Sequence, residues 1–144
     1  MRTAIDTNVI CSLWSREPDA AELARFLGQA GADGGLVICA PVDVELLAHP
    51  KAAQSFVDDF LSATSIVVDF LLDEQVWRSA GEAFTAYAGR RRASDGGQPK
   101  RLLVDFLVGA HATLNADRLC TLDETRYATA FPKLKIVRLS DRAS

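Results

Sequence analysis

The sequence predicts an α/β fold in which helices flank a central parallel sheet of about five strands. Short apolar runs alternate along the chain with segments of helical periodicity, which is typical of strands joined by helical crossovers. The runs at 36–39 and 66–68 are continuously apolar, as strands covered on both faces of a sheet are. Because the chain has 144 residues, of which 49% are hydrophobic and 24% charged, we expect one globular domain spanning 1–144.

Five apolar runs predict the strands of this sheet. The first run ends at Asp6, and a helical pattern follows it. Each later run is separated from the next by a helical segment or a turn, so neighbouring strands can lie parallel. The predicted strands are 3–5, 36–39, 66–68, 119–122 and 135–139.

Helical periodicity fills the intervals between these strands. Asp19 suits the N-cap of the first long helix, and Pro41 suits the first turn of a short helix that ends at His49-Pro50. In the third long helix we expect Trp77 to face the core. The loop 90–100 and the polar tail 140–144 complete the prediction. The long helices are predicted at 19–30, 52–63, 73–89 and 102–115.

The sequence shows neither a signal-like segment nor a C-x-x-C pair. No apolar run reaches the roughly 18 residues of a membrane span, and Met1 leads directly into a strand without a signal-like segment. We therefore expect a cytoplasmic protein without a membrane segment. Cys11, Cys39 and Cys120 form an odd, scattered set with no C-x-x-C pair, which predicts small buried apolar residues rather than a disulfide framework or a zinc site.

Four acidic residues lie among apolar neighbours and are the candidate catalytic residues. Asp6 ends the first strand, at the position where open α/β sheets bind their ligands. Glu45 lies in the short helix, Asp105 in the last long helix, and Asp123 directly after the fourth strand. Ionised carboxylates in apolar surroundings are costly unless they are paired or bound to a metal. We therefore expect the four side chains to converge on one site.

A divalent cation would remove the repulsion among these carboxylates while keeping them ionised. Oxygen ligands without His or Cys favour Mg²⁺ or Mn²⁺ over zinc. Such an ion can activate a water molecule and stabilise the charge on a phosphodiester during hydrolysis. Gly109 and Ala112 lie on the face of Asp105, and their small size predicts a substrate channel beside that carboxylate.

Each acid also has a purely structural interpretation. Asp6 could be only the N-cap of a helix that starts at Thr7, and Asp123 could be a turn residue. Asp105 could be a core acid that is paired with an arginine, because buried acids do pair. Glu45 could form a surface ion pair. The sequence alone leaves these alternatives open.

The periodicity of helices and strands also indicates which side chains near the four acids can point toward the same site. Asp43 projects about 200° away from Glu45 on a helix, so only one of the two can face the site, and the local pattern favours Glu45. Thr121 points to the same side as Asp123 if the strand persists that far, which suits a supporting or water-holding role. His111 lies about 240° around the helix from Asp105 and is interpreted as a packing or surface residue.

Four motifs, taken in their order along the chain, resemble those of a known protein family. They are Asp6-Thr7-Asn8-Val9 after the first strand, Glu45-Leu46-Leu47, Asp105-Phe106-Leu107-Val108-Gly109-Ala110-His111-Ala112, and Thr121-Leu122-Asp123. In this order they resemble the PIN-domain nucleases and, more narrowly, the VapC-type toxins of bacterial and archaeal toxin–antitoxin pairs. The resemblance spans essentially the whole chain in length and in motif order.

The resemblance implies a PIN fold in which the four acids converge at the strand ends, with Asp6 and Asp105 as the principal ligands of Mg²⁺ or Mn²⁺. It further implies an endoribonuclease that uses metal-activated water, a cognate VapB-type antitoxin whose C-terminal segment fills the groove, and a homodimer. Asn8 matches the polar residue that orients the first aspartate, and Thr121 matches the usual hydroxyl position. Asp43 departs from the Ser or Thr that often precedes the glutamate.

A cluster of basic residues is the candidate RNA-binding segment. It has a local net charge of +4 over twelve residues, in a chain whose net charge is -3. Arginine and lysine supply the salt-dependent, sequence-independent part of RNA affinity. The arginines equally suit the C-terminal end of a helix, where positive charge is favourable. The basic members are Arg90, Arg91, Arg92, Lys100 and Arg101, with Asp95 as the single acid among them.

The sequence thus predicts a metal-dependent endoribonuclease that acts as the toxin of a toxin–antitoxin pair, with RNA as its substrate. The alternatives are a housekeeping PIN nuclease and a PIN module that binds RNA or a partner without cleaving. Intact acids at all four positions argue against the non-cleaving module. A phosphohydrolase with Asp6 as nucleophile is disfavoured, because Asn8 stands where that chemistry needs a second acid.

Overall fold

Five parallel strands form one sheet, as the sequence predicts. The protein is represented by a computed structural model that describes residues 1–94 and 103–137. In chain order the strands are β1 (Thr3–Ile5), β2 (Leu36–Cys39), β3 (Ile66–Asp69), β4 (Arg118–Cys120) and β5 (Ile136–Val137). Their spatial order is β3-β2-β1-β4-β5, so β1 is the central strand.

Helices surround this sheet, and the described ranges contain seven of them. Most begin and end within a few residues of the predicted bounds, but α7 has no counterpart in the prediction. In chain order they are α1 (Thr7–Trp14), α2 (Ala20–Asp33), α3 (Ala40–Leu46), α4 (Gln54–Ala63), α5 (Glu74–Ala93), α6 (Leu103–Asn115) and α7 (Thr125–Ala128). No helix in these ranges combines the length and the apolar character that crossing a membrane requires.

Parallel pairing brings the carboxyl ends of the strands to one edge of the sheet. Ile5 pairs with Cys120, and the backbone N–H of Asp6 donates to the carbonyl of Cys120 at 3.0 Å. Every residue of β1 and β2 is buried, because helices cover both faces of the sheet. The residues that follow β1 and β4, Asp6 and Thr121, are therefore neighbours at this edge.

Two predictions about helix faces are wrong. Trp77 is 52% exposed, and its indole N–H donates to the carbonyl of Leu72 at 3.1 Å, so this ring does not face the core. No substrate channel opens at Gly109, because a β-carbon at this position would overlap the ring of Phe131. The small residues of α6 instead allow close helix packing, and His111 is buried beside them with Nε2 2.8 Å from Oδ2 of Asp69.

The basic segment falls partly within the described residues. Arg90, Arg91 and Arg92 form the last turn of α5, because this helix continues beyond the predicted end at 89. Lys100 and Arg101 lie outside the described residues, as do the rest of the predicted loop from 95 onward and the tail 140–144.

Candidate active site

Asp6 lies at the centre of the site, between the end of β1 and the start of α1. Its side chain is buried, with the residue only 3% exposed. Oδ1 accepts a hydrogen bond from the backbone N–H of Thr7 at 2.8 Å, and Asp6 occupies the N-cap position of α1. The structure therefore assigns the cap to Asp6, and the same carboxylate also faces the site.

The other oxygen of Asp6 is bound by two hydroxyl groups. Oδ2 accepts hydrogen bonds from Thr121 Oγ1 at 2.8 Å and from Tyr127 Oη at 2.7 Å. Tyr127 is fully buried on α7, and burial together with the charge of Asp6 raises the pKa of its phenol. The phenol therefore remains protonated and acts as a donor. Tyr127 is absent from the residues predicted from sequence, because neither its spacing nor its neighbours resemble a known motif.

Glu45 is connected to Asp6 through Thr7. The hydroxyl of Thr7 donates to Glu45 Oε1 at 2.6 Å, while the backbone N–H of the same residue donates to Asp6. Burial raises the pKa of the Asp43 carboxyl, and the nearby charge of Asp58 raises it further, whereas no hydrogen bond from Asp43 to Asp6 or Thr7 is found among the described residues. Of the two acids on α3, Glu45 is thus the one that contacts the Asp6 side of the site.

Asp105 and Asp123 form the second half of the site, with Arg126 between them. Arg126 Nη1 lies 3.5 Å from Asp105 Oδ1, and Nη2 lies 3.2 Å from Asp123 Oδ2. The pairing of Asp105 with an arginine, which the sequence left open, is therefore present. Burial lowers the pKa of Arg126, but Asp105 first and then Tyr127, Asp123 and Asp6 raise it, and the net direction is upward. The guanidinium is thus a permanent cation that pairs with Asp105 and Asp123, and the charge of Asp6 acts on it from beyond ion-pair distance.

Asn8 of α1 and Thr121, which directly follows β4, support this arrangement. Asn8 Nδ2 donates to Thr121 Oγ1 at 3.4 Å, and its Oδ1 accepts from the backbone N–H of Leu122 at 3.2 Å. The backbone N–H of Asp123 donates to Thr121 Oγ1 at 3.1 Å. Among these contacts, Asn8 influences Asp6 through Thr121, whereas Thr121 contacts the carboxylate directly.

The donor chemistry of the site fits a divalent cation, but the side chains do not form a finished set of ligands. Within 1–94 and 103–137, no group of three or more Asp, Glu, His or Cys side chains lies close enough to hold a metal ion. The acids form two pairs instead, one linked by Thr7 and the other by Arg126. Neither Asp6 nor Glu45 forms an ion pair with any residue in these ranges. A buried carboxylate without a cationic partner favours a bound cation.

An open cavity of about 580 Å³ borders the site along α1. It gives solvent and ligands access beside Asn8. Burial raises the pKa of the Cys11 thiol, and the charges of Glu45 and Asp6 raise it further, so this thiol stays neutral. The cavity is lined by Asn8, Cys11, Ser12, Ser15, Glu17, Pro18, Asp19 and Leu122.

The arginines at the end of α5 lie close to the start of α6. Phe84 and Tyr87 of α5 pack against Phe106, with ring centroids 5.2 and 5.5 Å apart, and Phe106 follows Asp105 in the chain. Arg90 and Arg92 follow Tyr87 in the last turn of α5, and both side chains are exposed. Their position is compatible both with RNA binding and with stabilisation of the helix end.

Comparisons with known proteins agree with this geometry. The structure of VapBC2 from Rickettsia felis bound to a DNA fragment from its promoter is similar, with a TM-score of 0.69, 23% identity, and coverage of 96% of this chain and 98% of that chain. The structure of VapBC-1 from nontypeable Haemophilus influenzae also has a TM-score of 0.69, with 19% identity and coverage of 97% and 99%. At these identities the likeness shows the fold. A comparison with curated protein sequences gave no match.

A sequence model of the PIN domain matches residues 3–132, which include all four candidate acids and the α7 side chains that contact them. The match covers most of the chain, and the parallel sheet with acids at its carboxyl edge agrees with it. The chain therefore belongs to the PIN domain family of nucleases.

Proposed function

We propose that the protein is a divalent-metal-dependent endoribonuclease, formed by a single PIN domain, and the toxin of a toxin–antitoxin pair that acts on RNA in the cytoplasm. The observation that supports this most is the buried Asp6 carboxylate, which accepts three hydrogen bonds but has no ion-pair partner in the described ranges. Nucleases of this family generally use divalent metal ions. The all-oxygen donor set suits Mg²⁺ or Mn²⁺.

In this proposal Asp6 and Asp105 hold the ion, and Glu45 and Asp123 complete the acidic cluster. A bound divalent ion supplies an activated water molecule and stabilises the charge on the phosphodiester. Thr7 fixes the Glu45 carboxylate through the 2.6 Å hydrogen bond, which suits a group that accepts a proton from the attacking water. Arg126 provides positive charge for the reacting phosphate, and the arginines of α5 bind the flanking RNA backbone.

The toxin assignment rests on the family and on the fold of the similar VapBC proteins. A VapB-type antitoxin would cover the cavity along α1 with its C-terminal segment, and a homodimer would carry two such sites. Glu17 and Asp19 line this cavity beside the acidic cluster, so a positively charged antitoxin segment would match it in charge. A housekeeping PIN nuclease without an antitoxin is the second candidate.

Cleavage of structured RNA by the purified protein tests the proposal. We expect cleavage with Mg²⁺ or Mn²⁺, none with EDTA, and none with Asp6→Asn. Asp59→Asn, which changes an exposed acid on α4, is the matched control and should cleave normally. Cleavage that continues in EDTA and in Asp6→Asn would contradict the mechanism. RNA binding without cleavage would identify a non-cleaving module.

Expression in cells tests the toxin assignment separately. Expression alone should arrest growth, Asp6→Asn should not, and a small gene adjacent to the coding sequence should relieve the arrest. Mapping RNA 5′ ends after induction, with Asp6→Asn as the control, would identify the cleaved RNA. Harmless expression of a protein that cleaves RNA well would favour the housekeeping nuclease.

A further inference from the structure

We propose that Tyr127 is a positioning residue that, together with Thr121, determines which oxygen of Asp6 is available to a metal ion. The inference rests on the metal-dependent function proposed above and goes beyond it. Tyr127 does not touch substrate or metal in this proposal; it acts through the carboxylate of Asp6. The available oxygen is Oδ1, and Oδ2 is occupied by the two hydroxyl groups.

The hydrogen bonds of Asp6 support this difference between Oδ1 and Oδ2. A carboxylate has two oxygens with about four acceptor positions in total. Oδ2 accepts from Tyr127 at 2.7 Å and from Thr121 at 2.8 Å, and Oδ1 accepts from Thr7 at 2.8 Å. Within the described part of the chain, the one acceptor position that remains is therefore on Oδ1, and Asp6 can bind a cation through a single oxygen.

The hydrogen bonds of Thr7 connect Oδ1 of Asp6 to Glu45. The backbone N–H of Thr7 donates to Oδ1, and its hydroxyl donates to Glu45, so this one residue bridges Oδ1 and Glu45. Oδ2 instead faces β4 and α7. If the Asp6 carboxylate rotated about its Cβ–Cγ bond, Oδ1 would lose its fixed orientation toward Glu45.

Tyr127 is well suited to prevent that rotation. Its ring is fully buried, so the hydroxyl has little freedom to move. A buried hydroxyl also costs free energy unless it is hydrogen-bonded, and Asp6 is the partner that the structure gives it. Residues that hydrogen-bond to metal-binding carboxylates keep those ligands oriented, and their removal typically weakens metal binding about 10–100-fold.

Calorimetric titration with Mn²⁺ in the absence of RNA tests the inference. Tyr127→Phe removes only the hydroxyl and should bind Mn²⁺ roughly 10–100-fold more weakly than the parent protein. Tyr87→Phe makes the same change at the other tyrosine of the chain and should bind as the parent does. Thr121→Val, which removes the second donor to Oδ2, should also weaken binding, and Thr121→Ser should retain it.

Cleavage and RNA binding distinguish a positioning role of Tyr127 from a purely structural one. Cleavage by Tyr127→Phe should recover at saturating Mn²⁺, and its affinity for RNA in EDTA should equal that of the parent. A Tyr127→Phe protein that is folded and binds Mn²⁺ like the parent would overturn the inference. If Tyr127→Phe does not fold, unchanged Mn²⁺ affinity in Thr121→Val would overturn it equally.

The same titration separates this inference from the proposed function. If the parent binds Mn²⁺ and Asp6→Asn does not, the proposed metal site stands whatever Tyr127→Phe does. If the parent and Asp6→Asn bind Mn²⁺ equally, both the metal site at Asp6 and the role of Tyr127 are wrong.

Discussion

At the scale of single residues, Asp6 combines two roles that the sequence presented as alternatives. It caps α1 through Oδ1, and it is also the buried acid at the end of the central strand. The two roles are compatible because a carboxylate has more acceptor positions than one cap requires. A sequence pattern can place the residue at the strand end, but it cannot assign the two oxygens to their partners.

Arg126 should compete with a divalent ion for Asp105 and Asp123. Arg126→Gln removes the cation between these two carboxylates, which should lower the thermal midpoint of the metal-free protein because like charges then repel. It should also tighten Mn²⁺ binding by about 1 kcal/mol, roughly fivefold. Arg78→Gln, which loses only an exposed pair with Glu74, is the control. Unchanged Mn²⁺ affinity in Arg126→Gln would show that the guanidinium does not compete.

Cys39 should make the protein less stable at alkaline pH. Burial raises the pKa of this thiol from 9.0 to about 11, and the charges of Asp6 and Glu45 contribute to the increase. Above pH 9 the unfolded thiol ionises while the folded one stays protonated, so the free energy of unfolding falls as pH rises toward 11, by about 2–3 kcal/mol at most.

Urea unfolding at about pH 8 and pH 10.5 measures this effect. Cys39→Ala should lose less stability between the two pH values than the parent protein does. The comparison is made within each protein, because the substitution itself leaves a small cavity. If the free energy of unfolding falls equally in both proteins, Cys39 does not contribute to the loss of stability at alkaline pH.

At the scale of elements, the four-residue helix α7 connects the two halves of the site. Tyr127 reaches Asp6, while the adjacent Arg126 reaches Asp105 and Asp123. A helix this short has no apolar period that a sequence pattern could detect. Its conformation is supported locally by Asp123, whose Oδ1 accepts from the backbone N–H of Arg126 at 3.3 Å and from Thr125 Oγ1 at 2.9 Å.

Two substitutions of Asp123 should separate its structural role from its charge. Asp123→Asn keeps an oxygen that can accept these bonds, so stability should change little while cleavage falls. Asp123→Ala removes both functions and should additionally lower the free energy of unfolding by about 1 kcal/mol, as loss of a helix cap does. Denaturant unfolding of both variants measures the difference. Equal stability of the two would show that Asp123 does not support α7.

Gly109 should be required for the packing of α6. Gly109→Ala should destabilise the protein by about 1–3 kcal/mol, because its β-carbon would overlap the Phe131 ring. Gly81→Ala is the matched control, since no atom lies within 4 Å of a β-carbon at that position on α5. The control should gain up to about 1 kcal/mol from the higher helix propensity of alanine. Stabilisation by Gly109→Ala would contradict the close packing of α6 against Phe131.

At the scale of the whole molecule, charge is distributed unevenly around a chain of net charge -3. The acidic cluster lies at the carboxyl edge of the sheet, and exposed arginines stand in the last turn of α5, the helix whose Tyr87 packs against Phe106 beside Asp105 in the chain. Bare RNA should be repelled by the acids and attracted by the arginines. Under the proposed function, we therefore expect RNA binding to depend on both a metal ion and the flanking cations.

The salt dependence of RNA binding should report on these arginines. For single-stranded RNA, the slope of log affinity against log salt falls by about 0.7 for each phosphate that the protein no longer neutralises. Arg90→Gln with Arg92→Gln should therefore lower the slope by roughly 1–1.5 and weaken binding of all sequences alike. Arg78→Gln, earlier on the same helix, should leave the slope unchanged. An unchanged slope in the double variant would mean that the arginines only stabilise the helix end.

The sequence by itself determined the parallel α/β sheet and the order of its strands along the chain, and it singled out the four acids that remain the candidate site residues. It could do so because periodicity and strand-end position are local properties that hydrophobic burial imposes on the chain. The tertiary structure decided what depends on interactions between distant residues. Asp6 meets Tyr127, 121 residues away, and Asp105 meets Arg126, while Phe131 closes the expected channel at Gly109. No local pattern encodes such pairings, since they arise only when packed helices bring side chains to the same edge of the sheet.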